Sequence, residues 1–554
     1  MEQIRFLLAI ALSFLVLLVW QNYFIEKPPQ QPDELTDSLS TESPEPALSG
    51  NKINKSVDQD KPQKLPEIKP AEEVSEKPAK QIIVQTPLFE AKLSERGAAI
   101  NSITLFDYKT SLSDDSTFMN VVNLDKLGTG IVSFKNNIIP DLHKAVYDAQ
   151  TTQSMVNVTK PKQVQFIYQL QQGIRIVKTY FFDPKSYIIG LTVVIDNPTD
   201  MTIGDQLQIS MRSQVPENVG GYIFEGPAIH LNGNLEEIGI DDIEDSSIFS
   251  GKISWAAIED RYFANAVLPL NTQEDTQAHI WLDNEIVQID LHMPHANITP
   301  QKQQLYSFSL FFGPKSLEQL NGLENDFNEI INFGWFDIIA RPCLYLMNLI
   351  YQFIPNYGIA IILLTILIKI IFWPLGNKSY QSMNQMRKLQ PRMKEIQERY
   401  KDDRQKLNQE LMNLYRVYKV NPLGGCIPML LQIPVFIALY RMLYQAIELR
   451  HAPFFLWIDD LSAPDRLFQF DTYIPLMQEP YGIPVLTIIM GGTMFLQQKM
   501  SPAPGDPSQA KMMMFLPLFF TFIFINFPSG LVLYWLVNNV ASILQQYYVN
   551  KKNE

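Results

Sequence analysis

The sequence predicts a polytopic α-helical membrane protein carrying a large all-β sandwich domain, and three observations predict it. Apolar residues are unevenly spread over the 554 positions: one run fills residues 6–20, and repeated runs return from about residue 355. Between them, from about 81 to 315, short alternating stretches such as Ile174-Arg175-Ile176-Val177 and Leu191-Thr192-Val193-Val194-Ile195-Asp196 are spaced by Gly, Pro, Asn and Asp, as in antiparallel strands. Finally, the loop at 377–420 holds eleven basic against five acidic residues, a net of +6, in a chain whose overall charge is −13. Such a loop marks the cytoplasmic side.

Taken in order, residues 1–24 place Arg5 before an apolar stretch with no small-residue cleavage site after it, which reads as an uncleaved anchor with a cytoplasmic N-terminus. Residues 25–80 hold nine prolines, many charges and no aromatic residue, the composition of a solvated tether. The β-domain follows at 81–322. Residues 323–352 mix Asp326, Glu329, Asp337 and Arg341 with Phe327, Ile330, Trp335, Phe336, Ile339 and Leu344, suiting an amphipathic helix along the outer membrane surface. Five spans are then expected at about 356–376, 424–446, 481–498, 512–528 and 530–549, each near the length that crosses ~30 Å of hydrocarbon. Alternating them from the basic loop puts the β-domain and the loop at 447–480 outside, and the loop at 499–511 and the tail at 550–554 inside.

Composition excludes some functions. The acidic balance argues against a specific nucleic-acid partner, and no G-x-x-x-x-G-K-[ST] motif offers a nucleotide site. Cys343 and Cys426 lie in or beside apolar segments and read as packing residues. The β-domain histidines, His143, His230, His279, His292 and His295, show no ligand spacing and read as surface or turn residues. No metal, cofactor or enzymatic activity is expected.

The chemistry lies in the spans. Lys369 interrupts ILLTILIKIIFWPL, where a cation costs roughly 2.5–3.5 kcal/mol. It either snorkels toward the cytoplasmic surface or faces a wet cavity. Gln432 sits early in a span entered from the cytoplasm, while Thr493, Gln497, Asn538, Asn539, Ser542, Gln545 and Gln546 sit late in spans leaving toward it, so the polar residues share one leaflet. Interhelical hydrogen-bond glue and a recess open inward are the two readings, and the second is preferred.

In the basic loop, Met383, Met386, Leu389, Met393, Ile396 and Tyr400, then Leu407, Leu411, Leu414 and Tyr418, recur in steps of three and four on either side of Lys401-Asp402-Asp403-Arg404. That pattern predicts a helical hairpin. Its exposed cations Arg387, Lys388, Arg392, Lys394 and Arg399 are candidates for docking something anionic or a nascent chain.

Asn421-Pro422-Leu423-Gly424-Gly425-Cys426, Gln432-Ile433-Pro434-Val435-Phe436, Leu456-Trp457-Ile458-Asp459-Asp460-Leu461 and Phe527-Pro528-Ser529-Gly530-Leu531 resemble, in order, the motifs of the YidC insertase family. The resemblance is strong over 323–549. The tether and β-domain are similar in placement and size to the periplasmic domain of Gram-negative members. It implies six transmembrane helices, of which five (353–549) form an insertase core with a cytoplasm-open hydrophilic groove, in the bacterial inner membrane. Groove candidates are Lys369, Thr365, Gln432, Phe436, Thr493, Tyr534, Trp535, Asn538 and Ser542. Implied partners are nascent inner-membrane proteins, the Sec translocon and the phospholipid bilayer. Because the tail after Val549 lacks the basic extension some members use near ribosomes, a ribosome or targeting machinery is a secondary partner. Where the family usually carries Arg, this chain carries Lys369, which keeps the charge without the guanidinium fork.

The resemblance implies a non-enzymatic insertase and membrane chaperone. A solute transporter using Lys369 as counter-charge is the alternative, but inverted repeats are not seen in the sequence. A merely anchored periplasmic scaffold would not need five polar-lined spans.

Overall fold

In the computed structural model of the protein, residues 79–554 are described, apart from 125–127, 217–222, 244–246, 272–274, 284, 322, 324, 419, 421–426, 502–506 and 554, and apart from the side chains of 404, 427–431, 507–512 and 553. The expected anchor, nearly all of the tether, and the Asn421–Cys426 motif with Cys426 lie outside the described residues.

The β-domain is built, among the described residues, from one nine-stranded sheet, two five-stranded sheets and one two-stranded sheet. Its larger sheet has nine strands, with Ile188–Asn197 central between Arg175–Phe182 and Lys302–Pro314. Ile188–Asn197 buries every second residue, the signature of a strand with one face on the core. Ile253–Glu259 and Phe263–Pro269 are instead buried at every position, because both faces are covered. A five-stranded sheet containing Leu207–Gln214 and Ile286–His292 packs on one side. From the chain that leaves the domain, Phe327 packs edge-on to Trp255 and Phe311, with ring centroids at 5.3 and 5.2 Å.

Three sequence expectations need correction here. One pairing, Gln81–Gln85 with Met155–Asn157, is parallel rather than antiparallel. His230 is buried, stacked on Trp255 at 5.6 Å with Nε2 3.3 Å from Glu329, and His292 is also buried, so neither is a surface residue. Both placements come from neighbours distant in sequence, which local composition does not register.

Lys178 is buried to 0% exposure, and its Nζ donates to the carbonyls of Gly97 (3.0 Å), Ala98 (2.7 Å) and Gly130 (2.9 Å). Three N–H donors thus meet three acceptors, the full capacity of an ammonium. Tyr180 also donates to Ala98 O at 2.6 Å.

The helical part comprises α1 (Asp337–Phe353), α2 (Tyr357–Ile371), α3 (Trp373–Arg399), α4 (Arg404–Val417), α5 (Ile427–Gln445), α6 (Val485–Met500), α7 (Pro507–Ile523) and α8 (Ser529–Asn553). The surface helix is shorter than expected: residues 327–330 and 334–336 are 3-10 turns before α1. α2 and α3 meet at a 65° bend at Phe372, four residues before the expected end of that span. The apolar run continues past the bend, but Pro374 at the second position of α3 has no N–H to continue the helical ladder of α2. No single described helix is long and apolar enough to cross a membrane by itself, and α2 and α3 reach that length and composition only as a bent pair.

The β-domain rests on the helices through arginines. Arg261 donates from Nε to Tyr444 O at 2.7 Å, with its guanidinium 3.8 Å from the Tyr444 ring centroid. Arg450 donates to Lys109 O at 2.6 Å and Arg441 to Phe333 O at 3.2 Å. Glu448, buried and therefore raised above the usual carboxylate pKa, accepts from Asn348 and from the Leu317 backbone.

Candidate functional site

α8 is the centre of the helical part, packed against α2, α3, α5 and α6. A helix so surrounded would ordinarily be apolar throughout. Instead Asn539, Ser542, Gln545 and Gln546 are all under 5% exposed, following the apolar turn of Leu531, Val532 and Leu533. Polar groups at such depth need partners, and Asn539, Ser542 and Gln545, with Asn538 beside them, find them on four helices, whereas Gln546 Oε1 meets none among the described residues.

Lys369 of α2 donates from Nζ to Ser542 Oγ at 2.6 Å, and Ser542 Oγ donates to Asn538 O at 2.7 Å. Gln432 Nε2 of α5 donates to Asn538 Oδ1 at 3.3 Å. On the other flank Asn539 Nδ2 donates to Thr493 Oγ1 of α6 at 3.4 Å, and Thr493 in turn donates to Met490 O at 2.7 Å. Gln545 Nε2 donates to Trp373 O at 2.9 Å and to Asn377 Oδ1 at 3.0 Å. Gly376 permits this approach, since a Cβ there would lie 2.8 Å from Gln545 Nε2. The partner of Lys369 among the described residues is a neutral hydroxyl, so the charge has no carboxylate beside it.

Of the groove candidates, Lys369, Gln432, Asn538 and Ser542 therefore form one hydrogen-bonded chain, with Thr493 joined through the adjacent Asn539. Phe436, Tyr534 and Trp535 belong to a second, aromatic group. Phe436 meets Trp535 edge-on at 4.4 Å and Tyr534 at 6.4 Å, and Trp535 meets Phe524 at 4.7 Å. Tyr440 continues this group to Phe527 at 5.9 Å. Thr365 joins neither, since its hydroxyl donates to Ile361 O of its own helix at 2.6 Å. Asn377 and Tyr380, which hydrogen-bonds Ser542, were not expected. Their three-residue spacing on one helix face was the available signal, obscured because the span was expected to end at 376.

Beyond the bend, α3 and α4 fold as a hairpin around Leu389, Met393 and Val420, with Met386, Leu411, Leu414 and Tyr415 packed on them. Arg387, Lys388, Arg392, Lys394 and Arg399 are all exposed. Arg392 also lies 4.9 Å from the Tyr418 ring.

Two family descriptions together match nearly all of the described chain: "YidC periplasmic domain" over residues 81–346 and "60Kd inner membrane protein" over 349–554. A relative from Syntrophobacter fumaroxidans, named membrane protein insertase YidC, is 38% identical over 99% of both chains. The chain belongs to the YidC family. Relatives of the same name from Syntrophus aciditrophicus and a Geobacter species are 38% and 39% identical, over 99% of both chains and 86% of both chains respectively. As a YidC-family chain it is an inner-membrane protein, and its periplasmic domain is the β-rich unit described above. The YidC periplasmic match ends at 346, inside α1, and the polar chain on α8 lies wholly within the inner-membrane match.

Proposed function

We propose that this chain is a membrane protein insertase and membrane chaperone, acting alone or beside the Sec translocon on nascent inner-membrane proteins. The reading is supported by the names of its relatives. The observation that carries it is the hydrogen-bonded chain Lys369–Ser542–Asn538–Gln432, which puts a cation without a carboxylate among helices of a membrane protein. In this reading residues 1–24 and the segments α2, α5, α6, α7 and α8 make six spans, with the N-terminus and the α3–α4 hairpin in the cytoplasm. The polar chain lines a groove open to the cytoplasm and closed by the aromatic group. A client's polar flank exchanges hydrogen bonds in the groove while its apolar segment moves sideways into lipid. No nucleotide is consumed, and hydrophobic partition with the membrane potential supplies the drive. A solute transporter is the competing reading, and it requires a site closed alternately to each side.

Cysteines replacing Gln432, Thr493, Asn538 and Ser542, in a chain carrying Cys343→Ser and Cys426→Ser, are expected to react with a membrane-impermeant maleimide only from the cytoplasmic side. The Ser542 position, 3% exposed, should react slowest. Leu363, which is 38% exposed on α2, serves as the lipid-facing control and stays unreactive, because thiolate forms poorly in hydrocarbon. In parallel, proteoliposomes containing the protein should protect a small single-span client from protease. Labelling no greater than the control, or labelling from both sides, sinks the groove; failure of client protection sinks the insertase.

A further inference from the structure

The connection between α5 and α6, residues 446–484, is built unlike any other described segment. Elsewhere the non-glycine residues with left-handed backbone are alanine, asparagine, aspartate, glutamate or glutamine. Here they include Leu456 (φ 62°), Phe468 (φ 51°) and Leu476 (φ 69°), which are 87, 74 and 82% exposed. A left-handed backbone crowds Cβ against the following carbonyl, so a large side chain persists there only where its surroundings impose it. Facing water, such a side chain would gain nothing in return.

The surroundings do impose it. The buried Arg466 donates to Pro480 O at 2.9 Å and to Ile525 O at 2.8 Å, and Asp465 accepts from Trp457 Nε1 and the Leu486 backbone. Each of the three residues is thereby fixed at the end of a different helix. Leu456 lies two residues after Phe454, whose ring packs on Gly358 at the start of α2. Phe468 follows Leu467, which pairs with Ile483 two residues before α6. The carbonyl of Leu476 accepts from Asn526, just beyond α7, at 2.7 Å. These helices also expose large apolar side chains, among them Ile366, Ile488 and Phe522.

We propose that residues 453–483 form a wedge in the outer leaflet, with Leu456, Phe468 and Leu476 set among lipid headgroups and the first acyl carbons. The inference rests on the proposed sidedness, which puts this connection outside. Lipid is favoured over a protein partner because the residues sit near the ends of three separate helices of an inner-membrane protein, each of which exposes apolar side chains of its own. Exposed Tyr473 is an aromatic type enriched at membrane interfaces, and exposed Phe455 adds apolar surface beside Leu456. The exposed charges are Asp459, Asp471 and Glu479, with no exposed cation between 446 and 484, which suits zwitterionic and not anionic headgroups.

The test uses the full chain with Cys343→Ser and Cys426→Ser, bearing Leu456→Cys, Phe468→Cys, Leu476→Cys or Asp471→Cys one at a time, each labelled with an environment-sensitive fluorophore. In phosphatidylethanolamine–phosphatidylcholine vesicles the first three labels should emit further to the blue than the fourth. They should also be quenched several-fold more by lipid spin-labelled near the headgroup than by lipid labelled near the chain end or by iodide. Equal iodide quenching at all four positions overturns the wedge. Iodide access in vesicles combined with shielding in native membranes overturns it in favour of a protein contact. An impermeant maleimide should reach the Asp471→Cys thiol from the periplasmic side. Reaction from the cytoplasmic side alone overturns the outer-leaflet assignment and, separately, the sidedness on which it rests.

Discussion

Lys178→Met is expected to lower the melting temperature of the β-domain by about 6–12 °C, equivalent to about 3 kcal/mol for a unit of this size. Methionine fills the space of the lysine stem but leaves the carbonyls of Gly97 and Gly130 without the donor they share, while Ala98 O keeps Tyr180. Each buried orphan costs about 1–3 kcal/mol, offset in part by the relief of a buried charge. The charge also gives the effect a pH signature. Burial pushes the ammonium pKa from 10.5 down to about 7, against the pull of the three carbonyls. Between those values the unfolded chain binds more protons than the folded one, so this residue's contribution to stability rises with pH and is lost as pH falls toward 7. Melting of the full-length protein from pH 7 to 10 should show that rise in the native chain and a shallower one in Lys178→Met. A melting temperature unchanged by the substitution would remove Lys178 as the clamp of these turns.

Lys369→Met should reduce insertion of clients with acidic outer tails about tenfold while leaving a client with a neutral tail nearly unaffected. A unit charge about 12 Å from the ammonium, at an effective dielectric near 20, gains about 1.4 kcal/mol, a factor of about ten in rate. Gln432 keeps its bond to Asn538, Asn539 its bond to Thr493 and Gln545 its bond to Asn377 when the lysine is gone, so α5, α6 and α3 remain joined to α8. Lys369→Arg keeps the charge and should keep the activity. Initial rates of protease protection in proteoliposomes, compared across the two clients, decide the matter. Equal losses for both clients would assign Lys369 to packing and not to charge.

Much of this was legible along the chain because the signals are local. Alternation at Gly190–Asp196 marks a strand, the step pattern from Met383 to Tyr418 marks the hairpin, and Asn538, Ser542 and Gln545 fall on one helical face. What was not legible depends on distant partners. The burial of His230 is decided by Trp255 and the edge-on Phe327, and the seat of the β-domain by Arg261 meeting Tyr444, 183 residues away. The bend at Phe372 lay hidden because apolar residues continue on both sides of it, although Pro374 announced it. In the candidate site the residue types were readable, but their division into a polar chain and an aromatic group needed the helices to be assembled.

Arg261, Arg441 and Arg450 all donate to backbone carbonyls, and Arg261 and Arg450 also lie against aromatic rings. Mobile ions weaken attraction between opposite full charges, but a carbonyl dipole held at contact distance and a ring face are little affected. The seat should therefore behave as a salt-insensitive joint. Raising ionic strength to 1 M or so, where the screening length falls to about 3 Å, should leave the protease sensitivity of the junction unchanged. Detachment under a high-salt wash would show that paired charges, and not these neutral contacts, hold it.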